Sequence, residues 1–375
     1  MKRLLIKNAM IIDESSEYHH KEVDIYIENG VIKKIGTELN EPGEIFDAST
    51  YLVSPGFIDA HVHCYYGKTA IGIGPAEIGV KTGVTSMIDA GTSGADTISD
   101  FYKRIIQPSD ERVFVLLNTA SEGLRTLSEL ACDDAIDEDK IKAIVEKYQH
   151  IIVGLKARAS SSVLLDKGIA PIIKSKEIAS NLGLPLVVHI GNAPPNVEEV
   201  LECTNSGDVI THCYHNKVNG LFLDSGQPKS EVLNAIDRGV LFDIGHGSSS
   251  FSFEVAERAL LNDFRHDLIG SDIYDKNINT VVKSLIHVMN KVLVLGYSLD
   301  EVVGMVTWKP AKHFKLKGLG SIKENYLADF TVYKLDESEA CFKDSVGTLR
   351  KGLRGIEARY AIVNGKIFRT ENGGN

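Results

Sequence analysis

Short apolar runs alternate with longer amphipathic stretches through the middle of the chain. The runs have the length of buried strands and occupy residues 57–63, 84–89, 113–119, 151–156, 184–189, 209–212, 240–243 and 268–272. Stretches such as DTISDFYKRIIQ and FEVAERALLND between them have the apolar spacing of helices. This alternation predicts an α/β fold with a parallel sheet, and eight units in about 220 residues favour a closed (β/α)8 TIM barrel. An open doubly wound sheet is the alternative, but its glycine fingerprint is absent after the first strand.

The two ends of the chain have a different pattern. Segments such as EVDIYIENGVIKKIG and ARYAIVNGKIFRT are rich in strand-forming residues, and each contains an Asn-Gly pair that is typical of a hairpin turn. We therefore predict that residues 1–54 and 319–375 together form one small β-sandwich. The barrel is expected to occupy residues 55–318.

The first apolar run carries two histidines in the stretch GFIDAHVHCYYG. Side chains alternate along a strand, so Asp59, His61 and His63 are expected to share one face. Two imidazoles about 7 Å apart on one strand can bind a common metal ion. Two core histidines that satisfy each other's hydrogen bonds would explain an isolated motif of this kind equally well. The residues at the other strand ends therefore distinguish a metal site from a structural pair.

Polar residues end several of the other predicted strands. His61 and His63 end the first strand, and Lys156, His189, His212 and Asp272 end the fourth, fifth, sixth and eighth. The active sites of barrels lie at the carboxyl ends of their strands. Four imidazoles and a carboxylate at one mouth therefore predict a metal site.

Lys156 is the unusual member of this set. An ammonium would be repelled by divalent cations, and burial beside positive charge lowers the pKa of a lysine. A neutral amine can take up carbon dioxide to give a carbamate, whose two oxygens can bridge two metal ions. The alternative is an ion pair between Lys156 and a carboxylate such as Asp243.

Taken together, these motifs resemble the amidohydrolase superfamily. The resemblance is carried by PGFIDAHVH, by the strand-end residues, by GSDIYD and by the terminal β segments, so it covers the whole chain. It implies two divalent metal ions, with zinc expected, and a carbamylated Lys156 that bridges them. By the same resemblance His61, His63 and Asp272 bind the more buried ion, His189 and His212 bind the other, and Asp272 is the catalytic group that accepts the proton of a bridging hydroxide.

Local sequence also distinguishes branches of this superfamily. Tyr65 stands where dihydroorotases usually carry an arginine, and Lys156 is generally lacking in adenosine- and cytosine-type deaminases. The stretches GLKARASSSV and THCYHNKVNG resemble the amidohydrolase/deacetylase metallohydrolase branch, which is dihydroorotase-like. This resemblance implies hydrolysis of an amide or ester bond in a small acylated amino or hydroxy acid. A cyclic-amide hydrolase of the dihydroorotase or hydantoinase kind, a deaminase and a metal-free scaffold are the alternatives.

Four residues near the strand ends are candidates for substrate binding. Arg158 has the same strand parity as Lys156, so its guanidinium could bind a substrate carboxylate, although a structural ion pair explains it equally well. His246 and Ser249 follow the seventh strand in GHGSSSF, where a loop suits either substrate contact or simple turn formation. Tyr65 either binds a developing oxyanion or packs in the core.

Composition narrows the class of protein. The chain has 375 residues, a net charge of −10 and five cysteines without a Cys-x-x-Cys motif. An acidic chain with no long apolar run predicts a cytoplasmic protein without nucleic-acid or membrane partners. We expect a small acidic molecule as the substrate, and the sequence leaves homo-oligomer formation open.

Overall fold

The computed structural model describes residues 3–371. Its strands are β1 (Arg3–Ile11), β2 (Glu22–Glu28), β3 (Val31–Gly36), β4 (Glu44–Asp47), β5 (Leu52–Pro55), β6 (Phe57–Val62), β7 (Val84–Ala90), β8 (Arg112–Asn118), β9 (Ile152–Ala159), β10 (Leu186–Ile190), β11 (Val209–Thr211), β12 (Leu241–Asp243), β13 (Phe330–Lys343), β14 (Leu349–Val363) and β15 (Lys366–Arg369). Its α-helices are α1 (Pro75–Ile78), α2 (Ile98–Phe101), α3 (Glu138–Lys147), α4 (Ser161–Leu164), α5 (Ala170–Asn181), α6 (Val197–Cys203), α7 (Ser230–Asp237), α8 (Phe253–Leu260), α9 (Leu285–Val294), α10 (Leu299–Met305) and α11 (Trp308–His313).

The strands from β6 to β12 form one parallel sheet in chain order. Residues 268–273 complete it, because Leu268 bridges to Asp243 of β12 and Ile273 bridges to Val62 of β6. The segment pairs through these single bridges rather than as a strand. The predicted parallel α/β fold is confirmed. The last predicted strand, residues 268–272, pairs with its neighbours only through single bridges.

Most of the predicted helices are present, but the pattern missed several. The stretch at 96–107 forms α2 and then a π-helical segment, Tyr102–Ile106. Helix α6 begins with a capping box formed by Asn196 and Glu199, which was a sequence signal. Helix α9 is buried on most of its faces, and its sequence is apolar almost throughout, so it does not stand out as an amphipathic surface helix.

The strands of the two chain ends form a second sheet, in the order β15-β14-β13-β5-β1-β2-β3, with β4 paired to β1. The hairpins turn at Asn29-Gly30 and Asn364-Gly365, where both asparagines have positive φ. This sheet has an apolar core of its own that includes Ile6, Ile25 and Phe330. The strands run as one continuous sheet, so a sandwich of two sheets stays a prediction, as do the domain limits at 54/55 and 318/319.

Within residues 3–371, no helix is long and apolar enough to cross a membrane.

Candidate metal centre

The end of β6 brings two imidazoles to one carboxylate. His61 lies within β6 and His63 follows its last residue. Nε2 of His63 lies 3.1 Å from Oδ1 of Asp272, and Nε2 of His61 lies 3.6 Å from the same oxygen. Asp272 belongs to the segment that closes the barrel beside β6. Strand parity and barrel closure therefore place these three side chains together.

The neighbouring strands contribute the other two imidazoles. His189 lies in β10 and His212 directly follows β11, and their ring centroids are 4.4 Å apart. The rings of His61 and His212 are 5.3 Å apart. One ligand atom from each of His61, His212 and Asp272 lies within 4.8 Å of the other two. All the predicted strand-end imidazoles thus share one space at the mouth of the barrel.

Three of the four rings are held by a hydrogen bond at Nδ1. Nδ1 of His63 lies 2.8 Å from the Thr92 hydroxyl, and Nδ1 of His61 lies 3.0 Å from the Thr211 hydroxyl. Nδ1 of His212 donates to the Gly245 carbonyl oxygen over 2.6 Å. Because Nδ1 is occupied, Nε2 remains the free nitrogen of each ring, which is the arrangement of metal-binding histidines.

The charge state of these rings also suits metal binding. Burial, followed by nearby positive charge, lowers the pKa of His61, His189 and His212 well below the usual value. These imidazoles are therefore neutral at pH 7 and keep a lone pair for a ligand bond.

Two of the candidate ligands adopt left-handed backbone conformations. The φ angles are 76° at His212 and 50° at Asp272. Such conformations cost on the order of 1–3 kcal/mol in a non-glycine residue and tend to occur at functional sites. The Asp272 amide is held by the His61 carbonyl oxygen at 2.7 Å, and the His212 amide by that of Asp243 at 3.1 Å. Backbone hydrogen bonds between strands therefore fix the direction of both side chains.

Lys156 lies on β9 and is 1% exposed. Its Nζ lies 3.5 Å from Nε2 of His61, and within the described residues no carboxylate oxygen lies within 4.0 Å of it. Burial lowers the pKa of Lys156 to about 8. The alternative ion pair with Asp243 does not form, because that carboxylate accepts from the Thr211 hydroxyl and the Gly270 amide instead.

The side chains present fit divalent metal ions. Four imidazoles and one carboxylate converge, the histidines whose pKa is perturbed are neutral, and burial lowers the pKa of the lysine among them to about 8, which increases its neutral fraction. Imidazole nitrogen and carboxylate oxygen are both ligands that zinc prefers.

Arg158 points its charge at an acidic residue that the sequence analysis did not single out. Nη1 of Arg158 lies 3.3 Å from Oε2 of Glu129, whose side chain is 1% exposed. Glu129 lies in the long loop after β8, where no periodic pattern marked it. The structure thus contains the ion pair that was the alternative to substrate binding, and a clamp role for Arg158 stays a prediction.

The other predicted substrate contacts lie outside the imidazole cluster. The Tyr65 hydroxyl donates to Asp100 over 2.7 Å. His246 is fully buried, and its Nδ1 donates to the Gly247 carbonyl oxygen while its Nε2 accepts from Nζ of Lys291 over 2.8 Å. Ser249 is exposed. Tyr65 and His246 already have partners inside the protein, and substrate contact by any of these residues stays a prediction.

Comparison with known proteins identifies the family. The model of the amidohydrolase family matches residues 52–368. The chain belongs to the amidohydrolase family. This amidohydrolase is 37% identical over 372 residues to a deacetylase from Enterococcus faecalis, which covers 97% of this chain and 98% of the relative.

Two solved structures are similar to this amidohydrolase over nearly its full length. One is described as an adenine deaminase, with a TM-score of 0.93 and 35% identity over 99% of this chain and 100% of that one. The other is described as a dihydroorotase, with a TM-score of 0.92 and 33% identity over 99% and 98%. The resemblance seen in the sequence is confirmed, and the protein is a hydrolase of this family. The different activities named for its relatives leave the substrate to be proposed.

Proposed function

We propose that this amidohydrolase is a deacetylase-type enzyme that hydrolyses the amide or ester bond of a small acylated amino or hydroxy acid. The observation that carries the proposal is Lys156, a buried lysine beside the imidazole cluster that pairs with no carboxylate of residues 3–371. As an ammonium it would have no favourable role there, whereas as a carbamate it would complete a site for two metal ions. The similarity to the Enterococcus faecalis deacetylase supports the choice of bond.

The residues fall into two groups that would each hold one ion. His61 and His63 share Oδ1 of Asp272, and His189 and His212 form the second pair of rings. Carbamylated Lys156 would join the two groups. Two divalent ions, zinc being expected, would lower the pKa of a shared water and polarise the scissile carbonyl.

Asp272 is the group proposed to move the proton. Its carboxylate would accept a proton from the attacking water and donate it to the departing oxygen or nitrogen of the substrate. The side chain is 13% exposed, so it can reach a bound substrate, and its backbone is fixed by His61 and by the Asn277 side chain. A carboxylate beside two imidazoles suits this role because two hydrogen bonds to its backbone hold it in place.

An assay of the zinc-loaded enzyme tests the proposal directly. N-acetyl amino acids and O-acetyl hydroxy acids of both hands should release acetate, with a strong preference for one hand. Elemental analysis should find close to two divalent ions per chain. Ammonia release from adenine or a cyclic amidine, without acetate release from any acylated acid, would instead indicate a deaminase.

A cyclic-amide hydrolase is the second candidate, favoured by the structural similarity to the protein described as a dihydroorotase. Ring opening of dihydroorotate or hydantoin at a rate above that of acyl hydrolysis would establish it. A purified protein that binds no divalent ion would favour the metal-free scaffold.

A further inference from the structure

Lys217 lies in the loop that leaves the mouth of the barrel after His212. Its backbone amide donates to Nδ1 of His215 over 3.1 Å, so the chain is fixed at this residue. The next residue, Val218, is fully exposed, whereas Lys217 is partly buried. The loop therefore turns the lysine inward at the end of the barrel that carries the imidazoles.

The ammonium of Lys217 has no partner in the part of the chain that the structure describes. No hydrogen bond from its Nζ and no carboxylate within 4.0 Å of it occurs among residues 3–371. Some other partly buried lysines are paired, as Lys176 is with Asp208 and Lys229 with Glu198, each at 2.6 Å, whereas Lys309 and Lys334 lie over aromatic rings. Withdrawing a charge from water without a counter-ion is unfavourable, so an unpaired cation at this place calls for a ligand.

The positive charge of Lys217 is close enough to interact with side chains of the metal centre. It helps to lower the pKa of His189 and of His212. Burial, and then the charge of Arg158, lowers the pKa of Lys217 itself. Arg158 is already paired with Glu129, whereas Asp272 attracts the charge of Lys217 only from beyond 4.0 Å, so within residues 3–371 no carboxylate forms an ion pair with Lys217.

We propose that Lys217 binds the carboxylate of the substrate and so sets the preference of the enzyme for acylated acids over neutral esters and amides. This inference rests on the proposed function for the identity of the substrate. It assigns the anion-binding role to the loop after β11 and leaves Arg158 as a neighbouring charge held by Glu129.

Binding of an uncleavable acid tests the inference without requiring turnover. The probes are 2-methoxypropanoate, which has a carboxylate but no acyl bond to hydrolyse, and its N-methyl amide, titrated calorimetrically into the zinc-loaded protein. Lys217→Met should weaken binding of the acid by about 10- to 100-fold, the usual effect of removing a charged hydrogen-bond partner, and should change binding of the amide less than about twofold. Lys217→Arg should restore most of the affinity for the acid.

The control is Lys142→Met, which removes the same charge from an exposed position on α3. It should leave both dissociation constants unchanged, so that a general loss of positive charge can be separated from a loss at the site. Equal weakening of acid and amide by Lys217→Met, or no weakening of either, would overturn the inference.

Kinetics separates this inference from the proposed function. In Lys217→Met the kcat/KM for an acetylated acid should fall about tenfold or more, mainly through KM, while that for its neutral amide analogue should be retained. If no acylated acid is hydrolysed by the wild-type enzyme but the acid probe still binds through Lys217, the proposed function fails and the anion site remains.

Discussion

The imidazole cluster and the rim around it are built in different ways. Residues of the cluster lie on strands or within one residue of a strand end, and three of the four rings are held by a hydrogen bond at the nitrogen that faces away from the shared space. Residues of the rim lie on loops, apart from Arg158 on β9. The Tyr65 hydroxyl donates to Asp100 outside the cluster, and Glu129 forms an ion pair with Arg158.

This difference teaches where each function can be changed. In a closed sheet the backbone of a strand fixes the direction of its side chains. The cluster is therefore suited to chemistry that requires its catalytic and metal-binding groups to stay in place. Loops can exchange partners at small cost, so the rim is suited to substrate choice. Substitutions in the cluster should therefore act on kcat and on metal affinity, and substitutions at the rim should act on substrate preference.

The largest effect is expected from Lys156→Ala. If the carbamate joins both metal groups, its removal should lower the metal content and reduce kcat by about 10⁴-fold or more, which corresponds to about 5.5 kcal/mol of activation free energy. Short carboxylates added to the assay should restore part of the activity. A variant with two bound ions and wild-type turnover would show that the carbamate has no role.

Asp272→Asn should have the next largest effect. The amide keeps the shape of the side chain and one oxygen for a ligand bond but cannot accept the proton, so kcat should fall by about 10²–10⁴-fold while much of the metal is retained. The measurement is steady-state kinetics combined with elemental analysis. Turnover within a few-fold of wild type at full metal content would refute the role of Asp272.

Thr211→Val should have a smaller effect on the same centre. The hydroxyl lies 3.0 Å from Nδ1 of His61 and donates to Asp243 over 2.6 Å. Its loss removes the hydrogen bond that holds the His61 ring at Nδ1. Losses of partners behind a metal ligand typically cost about 10- to 100-fold in metal affinity or activity. Competition with a chelator measures this loss, and Thr211→Ser should keep wild-type affinity.

The pKa of Lys156 predicts that the rate of reconstitution of the metal-free protein changes roughly tenfold with pH. Carbon dioxide adds only to the neutral amine, and burial lowers the pKa to about 8, so the neutral fraction rises as the pH passes upward through this value. At a fixed concentration of dissolved carbon dioxide, reconstitution of the metal-free protein with zinc should therefore be faster at pH 9 than at pH 7, by about tenfold. A rate independent of pH in this range would mean that the amine of Lys156 does not take part.

The smallest effect is expected from Tyr65→Phe at the rim. Burial and then the hydrogen bond to Asp100 raise the pKa of Tyr65 to about 12, so the hydroxyl is protonated and donates away from the cluster. Its removal should cost about 1 kcal/mol in unfolding free energy and change kcat less than about threefold. A loss of kcat beyond about 100-fold without a change in stability would instead indicate that Tyr65 binds the developing oxyanion.

The sequence by itself determined the arrangement that depends on local period. Alternating apolar and amphipathic runs predicted the parallel sheet, and strand parity predicted that His61 and His63 would share a face. The presence of Lys156 and His189 on parallel strands and of Asp272 in the closing segment followed from the same reasoning, but β9 continues beyond Lys156 to Ala159, so Lys156 does not end its strand. These features are local because the period of a strand is two residues wherever the strand lies in the fold.

Only the tertiary structure decided the contacts between distant parts of the chain. Glu129 on a loop meets Arg158 on β9, and the rings of His61 and His212 approach because the barrel closes. The left-handed backbone at Asp272 is held by a hydrogen bond from its amide to the His61 carbonyl oxygen. The lack of an ion-pair partner for Lys217 within residues 3–371 is also a tertiary feature, since it depends on every element that packs around this side chain. A local pattern fixes the direction of a strand residue, but the partner of a loop residue is fixed only when the whole chain has folded.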